Sequence, residues 1–267
     1  MKRKALVLAG VGAVALAVPS VMTFAAENWG KYQVGDVRSG YTYAKAETRA
    51  IQDDDFENPG MLWVEHGEEL WETVDGEAQK SCKSCHADAS DTMKNVGSTY
   101  PVFAKDIGKL ENVENRINRC RTDNMKAKPW KYDSRNMLGM VSYVKRQSFG
   151  QPMNVKIDGD AASWFKKGEE FYNQRRGQLD MACKHCHVDN AGNMIRANIL
   201  SQGQGNGFPT YRLKWQKPGS LHRRFRGCNS QVRAAPYKTG SDEYLALELY
   251  VMYRGQGLPV ETPAVRN

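Results

Sequence analysis

Past residue 26 the chain has no run apolar enough to cross a bilayer, so no membrane-spanning helix is expected there. It is also short of the side chains that build metal and redox sites, with 6 cysteines and 5 histidines among 267 residues. No acidic residue precedes Glu27. No segment resembles a nucleic-acid-binding module, so the formal charge of +8 does not point to nucleic acid. That charge falls by three if Lys2, Arg3 and Lys4 are removed, and local clusters then matter more than the total. With 40% hydrophobic and 25% charged residues, the composition is globular.

The scarce residues are concentrated. Cys183-Lys184-His185-Cys186-His187 reads C-x-x-C-H, and so does Cys82-Lys83-Ser84-Cys85-His86. A bare C-x-x-C is ambiguous between a redox pair and half a zinc site. Completed by histidine, it is the attachment pattern of haem c. Two thiols one helical turn apart add to the two vinyl groups of one porphyrin. The histidine that follows reaches the iron as proximal ligand. Two covalently attached haem c groups are therefore expected, on Cys82 and Cys85 with His86, and on Cys183 and Cys186 with His187.

The two motifs lie 101 positions apart, inside a longer repeat. Upstream, Trp63, Gly67, Glu68 and Glu69 match Trp164, Gly168, Glu169 and Glu170 at the same offset. Downstream the offset becomes 108, so the second copy carries a seven-residue insertion, and Arg116 and Cys120 then match Arg224 and Cys228. A period near a hundred residues suits a small domain repeated. The expected architecture is all-α, with two tandem cytochrome c-like domains related by duplication and an N-terminal extension.

Taken in order, residues 1–26 read as a secretory signal, with a basic start, an apolar stretch from Ala5 to Val18 and small residues near Ala25. Residues 27–60 form the extension. Residues 61–150 and 151–267 form the two domains. Apolar spacing predicts a helix over 61–72, crossed at Gly67 by a helix over 135–146. Gly168 and a helix over 242–254 repeat that crossing. Ser148 to Asp160 reads as a linker, and Gly203 to Pro209 as a flexible loop.

Two cysteines, Cys120 and Cys228, are left over at matching positions. They suit distal haem ligands, a disulfide to each other, or buried thiols. His222 and several methionines compete as ligands, among them Met93, Met125, Met137, Met140, Met194 and Met252; His66 reads as a surface residue. Around Cys228 stand His222, Arg223, Arg224, Phe225, Arg226 and Gly227. That much positive charge favours a thiolate and gathers small oxyanions. Gly227 would let the backbone approach closely. The approach to Cys120 is plainer.

Two C-x-x-C-H motifs, a signal segment and the run from His222 to Asn229 before a long terminal helix closely resemble the SoxA family of dihaem cytochromes. The resemblance covers nearly all of the chain after the signal. It implies a periplasmic protein paired with a monohaem SoxX-like cytochrome. It implies histidine/cysteine ligation, with Cys120 on the first haem and Cys228 on the second. It further implies Cys228 as catalytic residue, found as a persulfide, and Arg224 as substrate-binding residue. The implied reaction joins thiosulfate to a cysteine of a SoxYZ-like carrier, with two electrons passed to a c-type cytochrome. The alternative is a dihaem electron-transfer cytochrome without sulfur chemistry.

Overall fold

The computed structural model describes residues 29–267; the expected secretory signal lies outside them. A hairpin of β1 (Gln33–Val34) and β2 (Val37–Arg38) comes first, followed by α1 (Ala46–Asp53). The first half continues with α2 (Met61–Glu72), α3 (Cys82–His86) and the single turns α4 (Ala89–Thr92) and α5 (Val96–Thr99). A hairpin of β3 (Val102–Ala104) and β4 (Lys109–Glu111), then α6 (Val113–Asp123) and α7 (Arg135–Arg146), complete it. The second half runs through α8 (Ala162–Asn173), α9 (Cys183–His187), β5 (Met194–Ile195), β6 (Asn198–Ile199), β7 (Thr210–Arg212) and β8 (Lys217–Gly219). It ends with α10 (Leu221–Gln231), α11 (Asp242–Arg254) and β9 (Ala264–Arg266).

Each half is organised by one helix crossing. A Cβ at Gly67 would lie 2.2 Å from the Gly139 carbonyl oxygen, and one at Gly168 would lie 2.0 Å from that of Ala246. Only hydrogen fits between backbones this close, so glycine sets the crossing of α2 with α7 and of α8 with α11. Val64, Gly67 and Trp71 are the buried face of α2, whereas Leu62, expected on an apolar stripe, is 66% exposed.

The helix-rich architecture has short strands that an all-α expectation leaves out. β7 is central to a sheet, antiparallel to β8 and parallel to β9. Strands of two or three residues are too short to show alternation in a sequence. They still matter for position: Leu110 on β4 is buried in the second-half core beside Leu245 and Leu249, so the first half's hairpin closes the second half's core.

Two segments expected to be loose are packed. Ser148, Met153 and Val155 are buried within the expected linker. The Gly150 and Met153 amides donate to the Val260 and Leu258 carbonyls at 2.9 and 2.8 Å. Asn206, in the expected flexible loop, is buried and donates to the Pro259 carbonyl at 2.8 Å. Polar, glycine-rich chain reads as loop, but here the C-terminal tail supplies the partners its backbone needs.

The extension is strapped down at Glu261. This buried carboxylate accepts from Gln52, Asn206 and Arg266 at 2.9–3.0 Å, and from the Ser39 hydroxyl. Such a charge is tolerated inside because every donor is aimed at it.

Candidate functional site

Each C-x-x-C-H sequence forms one short helix, α3 or α9. The third motif residue caps it: Ser81 and Ser84 bond each other's backbone amides at 3.1 and 2.9 Å. In the second copy the Ala182 amide donates to Nδ1 of His185 at 2.8 Å. His185 is thus a capping residue and not a spare ligand.

A turn ahead of each motif fastens it to the helix that carries the leftover cysteine. A Cβ at Gly76 would lie 2.1 Å from the Met125 carbonyl oxygen, and one at Gly177 would lie 2.1 Å from that of Val232. The Ala78 amide donates to Met125 at 3.1 Å and the Leu179 amide to Val232 at 3.3 Å. Met125 follows α6 and Val232 follows α10, so these contacts bring Cys120 to α3 and Cys228 to α9. Gly76 and Gly177 keep the motif offset of 101 and stand six places before the first cysteine. That register could have marked them in the sequence.

All six cysteines are unpaired, so Cys120 and Cys228 are not joined in a disulfide. His222, a rival ligand, is buried away from the motif: its Nε2 lies 2.9 Å from Oε2 of Glu248, and its Nδ1 accepts from the Gly240 amide at 3.0 Å. Met125, Met137, Met140 and Met252 are core residues, and Met93 packs against the first core. Met194 is 63% exposed. His66, expected on the surface, is partly buried and lies 3.0 Å from Oδ1 of Asn136.

His187 is near enough to Cys228 to act on its thiol. His187 Nδ1 lies 2.8 Å from the Ser201 carbonyl oxygen, an acceptor only, so Nδ1 carries a proton and donates to it. Burial by itself would raise the Cys228 thiol. Arg224, His187 and Arg212 outweigh it and bring the thiol down to about 7. At Cys120 burial prevails and the thiol is raised, although Arg116 and Arg119 oppose it.

The difference lies in how the arginines are engaged. In the first half Arg119 is gripped by Glu111 at 2.8 and 2.9 Å and by Asp106, and Arg121 pairs with Asp75 at 2.7 Å. In the second half neither Arg224 nor Arg212 has a carboxylate within ion-pair distance among the described residues. Arg212 Nε is buried without a hydrogen-bond partner. Burial, then Arg224, pulls Arg212 down to about 10; Lys214 is lowered by burial and by the same two arginines. Cations that depress one another without a counter-charge make a place for an anion.

Arg212, on β7, is the residue that sequence reasoning missed. It stands outside the cysteine run and only the sheet brings it near. Arg223 instead stacks on Trp215, 4.4 Å from the ring centroid. Gly227 faces open space and makes no close approach within the chain.

The donor set fits haem c: two thiols on one helical turn, an imidazole with its tautomer fixed by a carbonyl, and a cysteine of lowered pKa facing it. Fold and motif together define a c-type cytochrome. A family model described as the SoxA/TsdA cytochrome c domain matches residues 66–153 and 167–260. The chain is 51% identical to the L-cysteine S-thiosulfotransferase subunit SoxA of Pseudaminobacter salicylatoxidans, over 86% of this chain and 80% of that protein. It is 45% identical to the protein of the same name from Rhodovulum sulfidophilum, over 87% of this chain and 81% of the relative. A solved structure, the crystal structure of SoxXA from P. pantotrophus, superposes with a TM-score of 0.84 at 45% identity, covering 86% of this chain and 87% of that one. The chain belongs to the SoxA/TsdA cytochrome c family.

Proposed function

We propose that this chain is the SoxA-type subunit of an L-cysteine S-thiosulfotransferase. It conjugates thiosulfate to a cysteine of a SoxYZ-like carrier protein, giving a cysteine S-thiosulfonate. The names carried by its relatives support this reading. The observation that carries it is Cys228 beside His187 with Arg224 and Arg212 left without carboxylate partners.

Haem c would be held covalently by Cys82 and Cys85 and by Cys183 and Cys186. His86 with Cys120 would hold the iron of one group, and His187 with Cys228 that of the other. When bound, haem c supplies one-electron acceptors. Arg224 and Arg212 hold the sulfonate oxygens of thiosulfate through charge-assisted hydrogen bonds. The Cys228 sulfur, favoured as thiolate by these cations, is the nucleophile or sulfur relay. In sum, a sulfur–sulfur bond forms between thiosulfate and the carrier cysteine. The thiol proton is lost, and two electrons leave to a c-type cytochrome.

The SoxXA structure supports a heterodimer with a SoxX-like monohaem cytochrome. The N-terminal signal pattern supports a periplasmic location, and among the described residues no helix is long and apolar enough to cross a membrane. The recurring glycine crossings and capped motif helices support descent of residues 61–150 and 151–267 from one duplicated domain.

The test is Cys228→Ala. Conjugation of thiosulfate to the carrier is expected to vanish while intact mass still shows haem on both C-x-x-C-H peptides. Conjugation at the wild-type rate by the variant would overturn the role of Cys228.

A further inference from the structure

The second motif histidine is held by a loop, and that loop is held by the N-terminal hairpin. The Ser201 carbonyl oxygen lies 2.8 Å from His187 Nδ1. A Cβ at Gly203 would lie 2.7 Å from that same nitrogen, so glycine lets the loop close on the ring. Between them, Gln202 points the other way. Its Oε1 accepts from the Arg38 amide at 2.7 Å, and its Nε2 donates to the Asp36 carbonyl at 2.8 Å. Both partners belong to the β1–β2 hairpin, more than 160 residues away in sequence. Asp36 and Val37 also line, with His187, Gln202, Gln204 and Arg254, a cavity of about 370 Å³.

The first half has no such arrangement. Among the described residues the His86 ring makes no hydrogen bond, and its aromatic neighbour Trp71 stands 5.9 Å away between ring centroids. The loop belongs to the longer segment between motif and cysteine helix in the second half. One histidine is therefore oriented from outside its own half and the other is not.

We propose that the N-terminal hairpin is a strap whose purpose is to hold His187, with Gln202 as the positioning residue that links them. This rests on residues 183–187 being a haem site. A histidine that donates from Nδ1 to a carbonyl becomes a stronger electron donor through Nε2, which favours ferric over ferrous iron. The strap sets that bond by fixing the Ser201 carbonyl. Releasing it weakens the donation, so the second haem becomes easier to reduce and the first is untouched.

The experiment is spectroelectrochemical titration of the holoprotein, wild type against Gln202→Ala, with the first haem as internal reference. Haem on each C-x-x-C-H peptide is counted by mass, and low-temperature EPR of the ferric state is recorded. The midpoint of the second haem is expected to rise by up to ~10-fold in its reduction equilibrium, which is ~59 mV for one electron. Its ferric EPR signal should shift while that of the first haem stays in place. Gln202→Asn, too short to reach both hairpin partners, should give a shift of the same sign, and it carries the test if the alanine variant fails to fold. Unmoved potentials with both haems attached would overturn the strap, and so would equal shifts at both haems. A wild-type chain without haem on the 183–187 peptide would instead overturn the haem assignment itself.

Discussion

The Asn112 side-chain amide donates to Oε2 of Glu248 at 2.9 Å, and this bond joins the two halves of the molecule. Asn112 is also the N-cap of α6, where its Oδ1 accepts from the Asn115 amide at 3.0 Å. The same Glu248 oxygen lies 2.9 Å from Nε2 of His222, the second residue of α10. Tyr132 donates to Asn115 at 2.7 Å and stacks on His222 with centroids 5.5 Å apart. The helices bearing Cys120 and Cys228 thus begin at one buried polar junction, which fixes one relative to the other.

Glu114 should make stability pH-dependent. Burial, and then the Glu248 carboxylate beside it, pushes Glu114 up to about 7, opposed by Lys145 and His222. Glu248 is held below its usual value despite burial, because His222, Lys145 and Asn112 favour its charge. For Glu114 the folded value lies above the unfolded one, near 4.5. Its contribution is therefore complete below that value and is lost as pH rises through about 7. Melting temperature should fall from pH 5 to pH 8, and Glu114→Gln should flatten that fall. Parallel pH profiles for wild type and variant would contradict the assignment.

Arg212 and Arg224 should govern thiosulfate affinity. Losing a charge-assisted hydrogen bond removes ~1.5–3 kcal/mol, so Arg212→Ala and Arg224→Ala should each raise KM for thiosulfate ~10–100-fold. Arg212→Lys should recover part of the loss. Arg119→Ala, in the carboxylate-clamped first half, should leave KM unchanged. Steady-state kinetics with thiosulfate varied decides it, and an unaltered KM in Arg212→Ala removes that residue from the anion site.

Gly168→Ala should damage the second half. Its Cβ would sit 2.0 Å from the Ala246 carbonyl oxygen and 2.9 Å from Cβ of Tyr250. The backbones must separate, at a cost of ~1–3 kcal/mol as for other overpacked sites. Urea unfolding followed by tryptophan fluorescence should show a lower midpoint. A midpoint equal to wild type would mean that α8 and α11 part without penalty.

Much of the site was written locally. Cysteine and histidine spacing marks the two C-x-x-C-H sequences as candidate haem sites, because covalent attachment needs that separation on one helical turn. The helices over 61–72, 135–146 and 242–254 were legible because long apolar periodicity outweighs other signals, and α2, α7 and α11 occupy those spans. The register of the repeat paired Cys120 with Cys228, and the arginines near Cys228 pointed to an anion.

Other features depended on chain brought from a distance. Arg212 joins Arg224 only because β7 lies between β8 and β9, and strands this short leave no pattern. Ser148 to Asp160 and Gly203 to Pro209 look like free chain, but the C-terminal tail pairs with both. Which cysteine keeps unclaimed arginines was decided by Glu111 and Asp106, on and beside the β3–β4 hairpin. Local spacing specifies covalent chemistry, since the reacting atoms share one turn of helix. Charge balance is a sum over everything nearby, and only folding determines what is near.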